Sequence, residues 1–215
     1  MNDFISFGLH RLWKKQACQI LEAKKKERVL DLATGTGDLA FYLEELSNNL
    51  NLELEITAVD FSKEMLKIAE SKKQRKNSKV NFVKADIMNL NFENESFDRI
   101  IISYGLRNIK NYQKGLKEIY RISSKNSRLV ILDLSYPNQF FEKLTEFYRF
   151  KILPLFGKFL TQDQAAYEYL VNSIYFYLNQ EELKELLEKT NWQKVKYKNL
   201  FGGLSVIHSA DKFSL

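Results

Sequence analysis

The stretch that decides the fold is Val29-Leu30-Asp31-Leu32-Ala33-Thr34-Gly35-Thr36-Gly37-Asp38. An apolar run ends, and a glycine-rich turn opens directly into a segment with helical spacing. Strand, turn and helix in that order point backbone N–H groups and a helix N-terminus at a small ligand. Gly35-Thr36-Gly37-Asp38-Leu39-Ala40 also satisfies the loose dinucleotide pattern G-x-G-x-x-A. The turn alone therefore leaves open which nucleotide-like ligand it holds.

Working outward, strand-like and helical patterns alternate. Leu9, Leu12, Trp13, Ala17, Ile20 and Leu21 recur at helical spacing, predicting a helix over 7–23. Strands are expected at 28–32, 53–59, 80–83, 97–103 and 128–134. Ile100-Ile101-Ile102 makes the fourth a continuous apolar run, as suits a strand buried on both faces. Helices are expected at 38–47, after a Ser62 cap with Met65, Leu66 and Ala69 facing inward, and at 111–122. Such alternation argues for a parallel, doubly wound sheet. Beyond Pro137, residues 138–190 read as mostly helical and aromatic. Then 193–197 and 204–208 alternate around Phe201-Gly202-Gly203, predicting an antiparallel hairpin at the sheet edge. The expected fold is α/β: one domain over 1–215, with a doubly wound, mostly parallel seven-stranded Rossmann-like sheet. A C-terminal antiparallel hairpin and a helical insertion at about 138–178, before the last helix, complete it.

Composition narrows the class. The 215 residues are 45% apolar and 28% charged, an ordinary globular balance with room for a sizeable core. One cysteine, Cys18, excludes an internal disulfide framework, agrees with a reducing cytosol, and reads as a small buried residue. No secretory h-region opens the chain, and no apolar run approaches the ~20 residues of a spanning helix. The formal charge of +6 favours an acidic partner, nucleic acid or anionic membrane, although most lysines sit where a solvated helix end or loop explains them.

Acids mark the expected strand ends: Asp31, Asp60 and Asp86. Ligands of a doubly wound sheet bind outside the carboxyl ends of its strands. Asp60 suits the two ribose hydroxyls of either NAD or S-adenosylmethionine, and Asp86 can accept from an adenine amine. Asp31 and Asp38 place further negative charge beside the turn, awkward for a pyrophosphate but favourable for an ammonium and a sulfonium. S-adenosylmethionine has both and no phosphate, so the electrostatics favour a methyl donor. Each acid taken singly is also readable as a helix cap or surface residue.

The chain as a whole resembles the ubiquinone/menaquinone biosynthesis C-methyltransferases, of the class I S-adenosylmethionine-dependent fold. The resemblance runs through Met1 to Trp13, Asp31 to Asp38, Ser103-Tyr104-Gly105-Leu106-Arg107-Asn108, and Arg121 to Ser135. Tyr148 to Gly157, Tyr167 to Ile174 and His208 follow in family order. It implies that Thr36, Asp60, Asp86 with Ile87, and Ser103 contact the donor, alongside Asp31, Gly35 and Gly37 of the turn region. Family members carry a further N-terminal segment with a Tyr-Asp pair before the Met-Asn with which this sequence begins. The expectation is a start assigned late or a missing cover over the cofactor. The family's Lys-Pro-Gly-Gly turn is here Ser124-Lys125-Asn126-Ser127, with Asn126 expected to take the left-handed conformation, and its Glu is Asp133.

The activity so implied is methylation of a ring carbon of a reduced, polyprenylated benzo- or naphthoquinone, with S-adenosylhomocysteine as co-product. The ring must lose a hydroxyl proton and later a ring proton. Arg107 is the candidate for stabilising a developing oxyanion, Asn108 for orienting the ring hydroxyl, and His10 for the general base. A salt-bridge partner for Arg107 and a packing role for His10 are the alternatives, and a structural role is favoured for His208. No metal-ligand spacing appears, and the reaction needs no metal. Phe140 to Leu160 interleaves aromatics with Lys143, Arg149, Lys151 and Lys158. It reads either as an entry for the isoprenoid tail near an anionic membrane or as core and dimer contact. The implied location is the cytoplasm, at the inner membrane face, with a homodimer as a further expectation. Rival readings are another small-molecule methyltransferase, a nucleic-acid methyltransferase and a non-catalytic binding protein. Against nucleic acid, the segment after the fourth strand reads Ser-Tyr-Gly-Leu rather than the Pro-Pro-aromatic run of base N-methylation, and Cys18 is far from that strand.

Overall fold

The computed structural model describes residues 9–135 and 177–213. The expected helical insertion and the aromatic stretch Phe140 to Leu160 lie outside these residues. The described chain begins with α1 (Leu9–Leu21), β1 (Arg28–Leu32), α2 (Asp38–Asn49), β2 (Glu55–Asp60) and α3 (Lys63–Lys76). It continues through β3 (Asn81–Lys84), β4 (Phe97–Ser103), a short 3-10 turn (Leu106–Asn108), α4 (Tyr112–Ile122) and β5 (Ser123–Leu134). After the undescribed segment come α5 (Gln180–Lys189), β6 (Gln193–Leu200) and β7 (Ser205–Lys212).

The strands form one sheet in the order β3-β2-β1-β4-β5-β7-β6, with β7 antiparallel to both of its neighbours. The expected hairpin is therefore present, with β7 lodged between β5 and β6. Strand order reverses between β1 and β4, where chains leaving in opposite directions open a crevice.

Apolar alternation builds a core on each face. Leu30, Leu32, Ile100, Ile102, Leu129 and Ile131 face α4 and α5, while Val29, Ile101, Val130 and Leu132 face α1 and α2. Strands buried on both sides need such near-continuous apolar runs. Ser62 caps α3 by accepting from Met65 N at 3.2 Å, as its sequence position predicts. Asn126 has φ 63°, the expected left-handed residue. It lies within β5 rather than before it: Ser123 pairs with Phe97 and Arg128 with Arg99, so the intervening residues bulge outward.

One inward assignment, Met65, is corrected, and Leu12, which shares the helical spacing of α1, lies outside its buried stripe. Leu12 is 51% exposed because the buried stripe of α1 is Trp13, Ala17 and Leu21, four residues apart, with Cys18. Met65 is 44% exposed because α3 buries Leu66 and Ala69 instead, which turns Met65 toward the crevice.

Candidate active site

The glycine turn is fixed from below. Thr34 N donates to Val59 O at 2.9 Å and Gly37 N to Thr34 O at 3.0 Å. Gly37 has φ 81°, and a Cβ there would come within 2.8 Å of the Phe82 ring. Backbone conformation and space both require glycine at this helix entrance. Gly35, at φ 59°, faces open space. Its N–H donates to Asp60 Oδ2 at 2.7 Å, and Ser62 N donates to Asp60 Oδ1 at 2.8 Å. Both oxygens of the carboxylate are thus oriented by backbone, each keeping a lone pair for a ligand hydroxyl.

These groups line a cavity of about 740 Å³ at the carboxyl ends of the strands. The turn contributes Gly35 and Thr36, β2 and its exit Asp60, Phe61 and Ser62, and the segment after β3 Asp86, Ile87 and Met88. The exit of β4 contributes Ser103, Tyr104, Gly105 and Asn108. Asp86 Oδ1 accepts from Met88 N at 2.8 Å, leaving Oδ2 for an amine. Ser103 Oγ is buried without a hydrogen-bond partner. An orphaned donor-acceptor in a polar wall marks a place for a ligand group. Phe61 is 71% exposed beside the cavity, with Lys84 Nζ 5.9 Å from its ring centroid, and offers an apolar surface suited to a base. Tyr104 has φ 57°, an unfavourable conformation for a bulky residue, where the exits of β1 and β4 come close. Gly105 fits there because a Cβ would collide with that of Ala33.

Two acids beside the turn behave differently from the sequence reading. Asp38 does not offer a free charge, since Lys72 Nζ lies 2.7 Å from its Oδ1 and also donates to Thr36 Oγ1 at 2.8 Å. Asp31 is buried beneath the turn and is not on the cavity wall. Burial pushes its pKa up to about 7, opposed by the hydrogen bond from Thr34 Oγ1 and by the charge of Lys14. Of the strand-end acids, Asp60 and Asp86 face the cavity with oxygens left for a ligand, and Asp31 lies beneath it.

The catalytic candidates divide. Asn108 is on the wall. Arg107 stands behind it, its guanidinium bound to the fully buried Asp133, with Nε lacking a hydrogen-bond partner. His10 is buried on α1 and is not on the cavity wall, although the same helix brings Lys14 there. His208 is a structural residue at the far side of the sheet. Burial lowers its pKa to about 4, and its Nε2 lies 2.9 Å from Gln180 O. Cys18 is buried and its thiol pKa is raised by that burial, which makes it unreactive. Among the described residues no cluster of His, Cys, Asp or Glu could hold a metal, and no helix is long and apolar enough to cross a membrane.

Sequence reasoning did not find Lys14, Phe61, Met65, Tyr104 or Lys110 on the cavity wall. Phe61 was detectable as an aromatic directly following the strand-end acid. Lys14 carried no local signal, because only the docking of α1 on the sheet brings it there.

A model of the ubiE/COQ5 methyltransferase family matches residues 1–212. The chain is 36% identical over 216 residues to the ubiquinone/menaquinone biosynthesis C-methyltransferase UbiE of Idiomarina loihiensis, covering 99% of this chain and 85% of that protein. It is 37% identical over 215 residues to the protein of the same name from Rickettsia felis, covering 99% and 86%. Among solved structures, a SAM-dependent methyltransferase from Aquifex aeolicus matches with a TM-score of 0.65 at 18% identity, over 92% of this chain and 88% of that one. That likeness carries the fold, the class I methyltransferase sheet.

Proposed function

The chain belongs to the ubiE/COQ5 methyltransferase family, and from that premise we propose how its cavity carries out methyl transfer. The protein is an S-adenosylmethionine-dependent C-methyltransferase acting on a quinol in ubiquinone/menaquinone biosynthesis. A nucleic-acid substrate is not favoured. The observation that best supports the site assignment is Asp60, whose carboxylate is aimed into the cavity by Gly35 N and Ser62 N.

In this reading Asp60 holds the ribose hydroxyls, Asp86 Oδ2 the adenine amine, and Ile87 and Phe61 the faces of the base. Gly35 gives the backbone room to approach, Gly37 lets the turn enter α2 against Phe82, and Ser103 Oγ meets the amino-acid end. Thr36 contributes through its backbone, because its hydroxyl is taken by Lys72. Asp31 acts from beneath the turn through its charge. When bound, S-adenosylmethionine supplies an electrophilic methyl group on sulfur.

Asn108 orients the ring hydroxyl so that the neighbouring ring carbon lies in line with the methyl, ~3–3.5 Å away. Arg107 stabilises the oxyanion from behind, through its unpartnered Nε–H or a bridging water. Asp133 keeps the guanidinium in place. His10, buried on α1 one helical turn before Lys14 and not itself on the cavity wall, is the base proposed to take the hydroxyl proton through a relay. Transfer to the ring carbon would form its bond to the methyl group as the methyl–sulfur bond breaks, and the ring proton would then pass to solvent water, restoring aromaticity.

The proposal extends to a polyprenylated naphthoquinol or benzoquinol. The interleaved aromatic and basic residues of Phe140 to Leu160 support a place for its tail and a peripheral contact with an anionic membrane at the cytoplasmic face. A homodimer belongs to the same reading. Mass spectrometry of the cellular quinones after deletion of the gene tests it. The expected result is a quinone lighter by one methyl group, whose ring names the substrate; unchanged quinones would defeat the assignment.

A further inference from the structure

S-adenosylmethionine is a zwitterion at its amino-acid end, and the acids of the cavity answer only its positive groups. A carboxylate placed beside Asp31 and Asp60 needs a cation. Two candidate cations are already committed, since Arg107 is bound to Asp133 and Lys72 bridges Asp38 and Thr36. Lys110 lines the cavity but is exposed, beyond Asn108 on the wall that follows β4.

Lys14 differs from all of these. It is half-buried on the cavity wall and makes no ion pair or hydrogen bond among the described residues. Its neighbour Lys15 points elsewhere, over the Tyr42 ring at 5.7 Å. Trp13, 7% exposed, and Ala17 and Cys18 beyond it anchor α1 in the core, so the backbone carrying Lys14 is fixed. The charge of Lys14 is felt at both Asp31 and Asp38, which puts it at the glycine-turn end of the cavity. A flexible ammonium that faces a cavity without a partner is a receptor for an anionic ligand group.

We propose that Lys14 receives the α-carboxylate of S-adenosylmethionine and so sets the position of the amino-acid end of the methyl donor. This rests on the methyl-donor reading of the cavity. It makes α1, and not the glycine turn alone, part of the donor site, and it gives the site a means of discriminating donors by a group remote from the reacting methyl.

Titration of S-adenosylmethionine and of its decarboxylated analogue into the wild-type protein, Lys14→Met, Lys14→Arg and Lys110→Met tests the assignment. The wild type should prefer the intact donor. Lys14→Met should weaken the intact donor by roughly ten- to hundredfold while leaving the analogue within about twofold. Lys14→Arg should restore most of the preference, and Lys110→Met should retain it. Retained binding of the analogue also reports that Lys14→Met is folded. Unchanged affinity of Lys14→Met for the intact donor, an equal loss for both compounds, or loss of preference in Lys110→Met instead would overturn the subsite. A wild-type protein that binds neither compound would overturn the methyl-donor reading itself.

Discussion

At the N-terminal ends of the strands Arg28 is bound to Asp98 and Arg99 to Glu27, while Arg128 holds both Asp211 and Glu22. At the C-terminal ends Asp31 Oδ1, Ser103 Oγ and Arg107 Nε are buried without partners, and Lys14 faces the cavity with no ion pair among the described residues. The sheet is the same, but one end pairs its charged groups internally, leaving Ser127 Oγ and Trp192 Nε1 without partners, and the other leaves polar groups open along a cavity. An unmet buried polar group costs about 1–3 kcal/mol. The paired end contributes stability, and the open end keeps its hydrogen-bonding capacity for ligands.

The comparison breaks most severely at the buried ion pair between Arg107 and Asp133 on the open side. Asp133→Ala strands the guanidinium of Arg107 and should destabilise the fold by about 3–5 kcal/mol in urea unfolding, with Asp133→Glu recovering part. Unchanged stability would mean that the pair is not structural and would free Arg107 for direct contact with substrate.

A crossed pair of variants sharpens the contrast at smaller cost. Asp60→Ala should weaken donor binding by ~1–3 kcal/mol through lost ribose hydrogen bonds, with little change in melting temperature. Asp98→Ala should do the opposite, lowering stability by about 1–3 kcal/mol and leaving the donor dissociation constant unchanged. Matching effects of the two variants on both readouts would erase the distinction between the ends.

The ends should also respond to pH with opposite sign. Burial opposes ionisation of Asp98, but hydrogen bonds from the Arg28 side chain and backbone and from Ser124 outweigh it and hold the pKa at about 2. Its folded value lies below the usual 3.8, so its stabilisation is present above that value and is lost as pH falls toward 2. Asp31, raised to about 7 chiefly by burial, is the reverse. Without a bound donor, its contribution is greatest below the usual 3.8 and declines as pH rises toward 7. Urea unfolding of Asp31→Asn across that upper range should show a flatter loss of stability than the wild type; an equal slope would remove Asp31 as its source. The smallest effect is expected at Lys72, whose partner Asp38 is largely exposed. Lys72→Met should cost under about 1 kcal/mol of stability, read from the melting temperature, and a larger loss would mark the bridge as essential to the turn.

What the sequence discloses follows the range of the forces involved. Local patterning located β1 and β4 to the residue, because Val29, Leu30 and Leu32 and the run Ile100 to Ile102 supply the apolar side chains that strands covered on both faces require. The glycines and Asn126 were legible because a positive φ restricts residue choice at the position itself. Ser62 and Asp60 were legible as a cap and a strand end. The pairings Lys72 with Asp38 and Arg107 with Asp133 join residues distant in the chain, and no local pattern distinguishes them from solvated charges. Lys14 is the sharpest case. It belongs to a run of basic residues on an amphipathic helix, and only the packing of Trp13 and Ala17 against the sheet turns it toward the cavity. Leu12 and Met65 show the converse, apolar residues whose helical spacing fits a core face that the packed helix does not use.

Purified protein incubated with methyl-labelled S-adenosylmethionine and a reduced demethylated quinone tests the central claim most directly, with the product analysed by mass spectrometry. The account predicts a label bound to a ring carbon, resistant to ether cleavage, with S-adenosylhomocysteine formed in equal amount and the yield reduced in Asp60→Ala. Donor binding without transfer, or a label on the quinol oxygen, would contradict it.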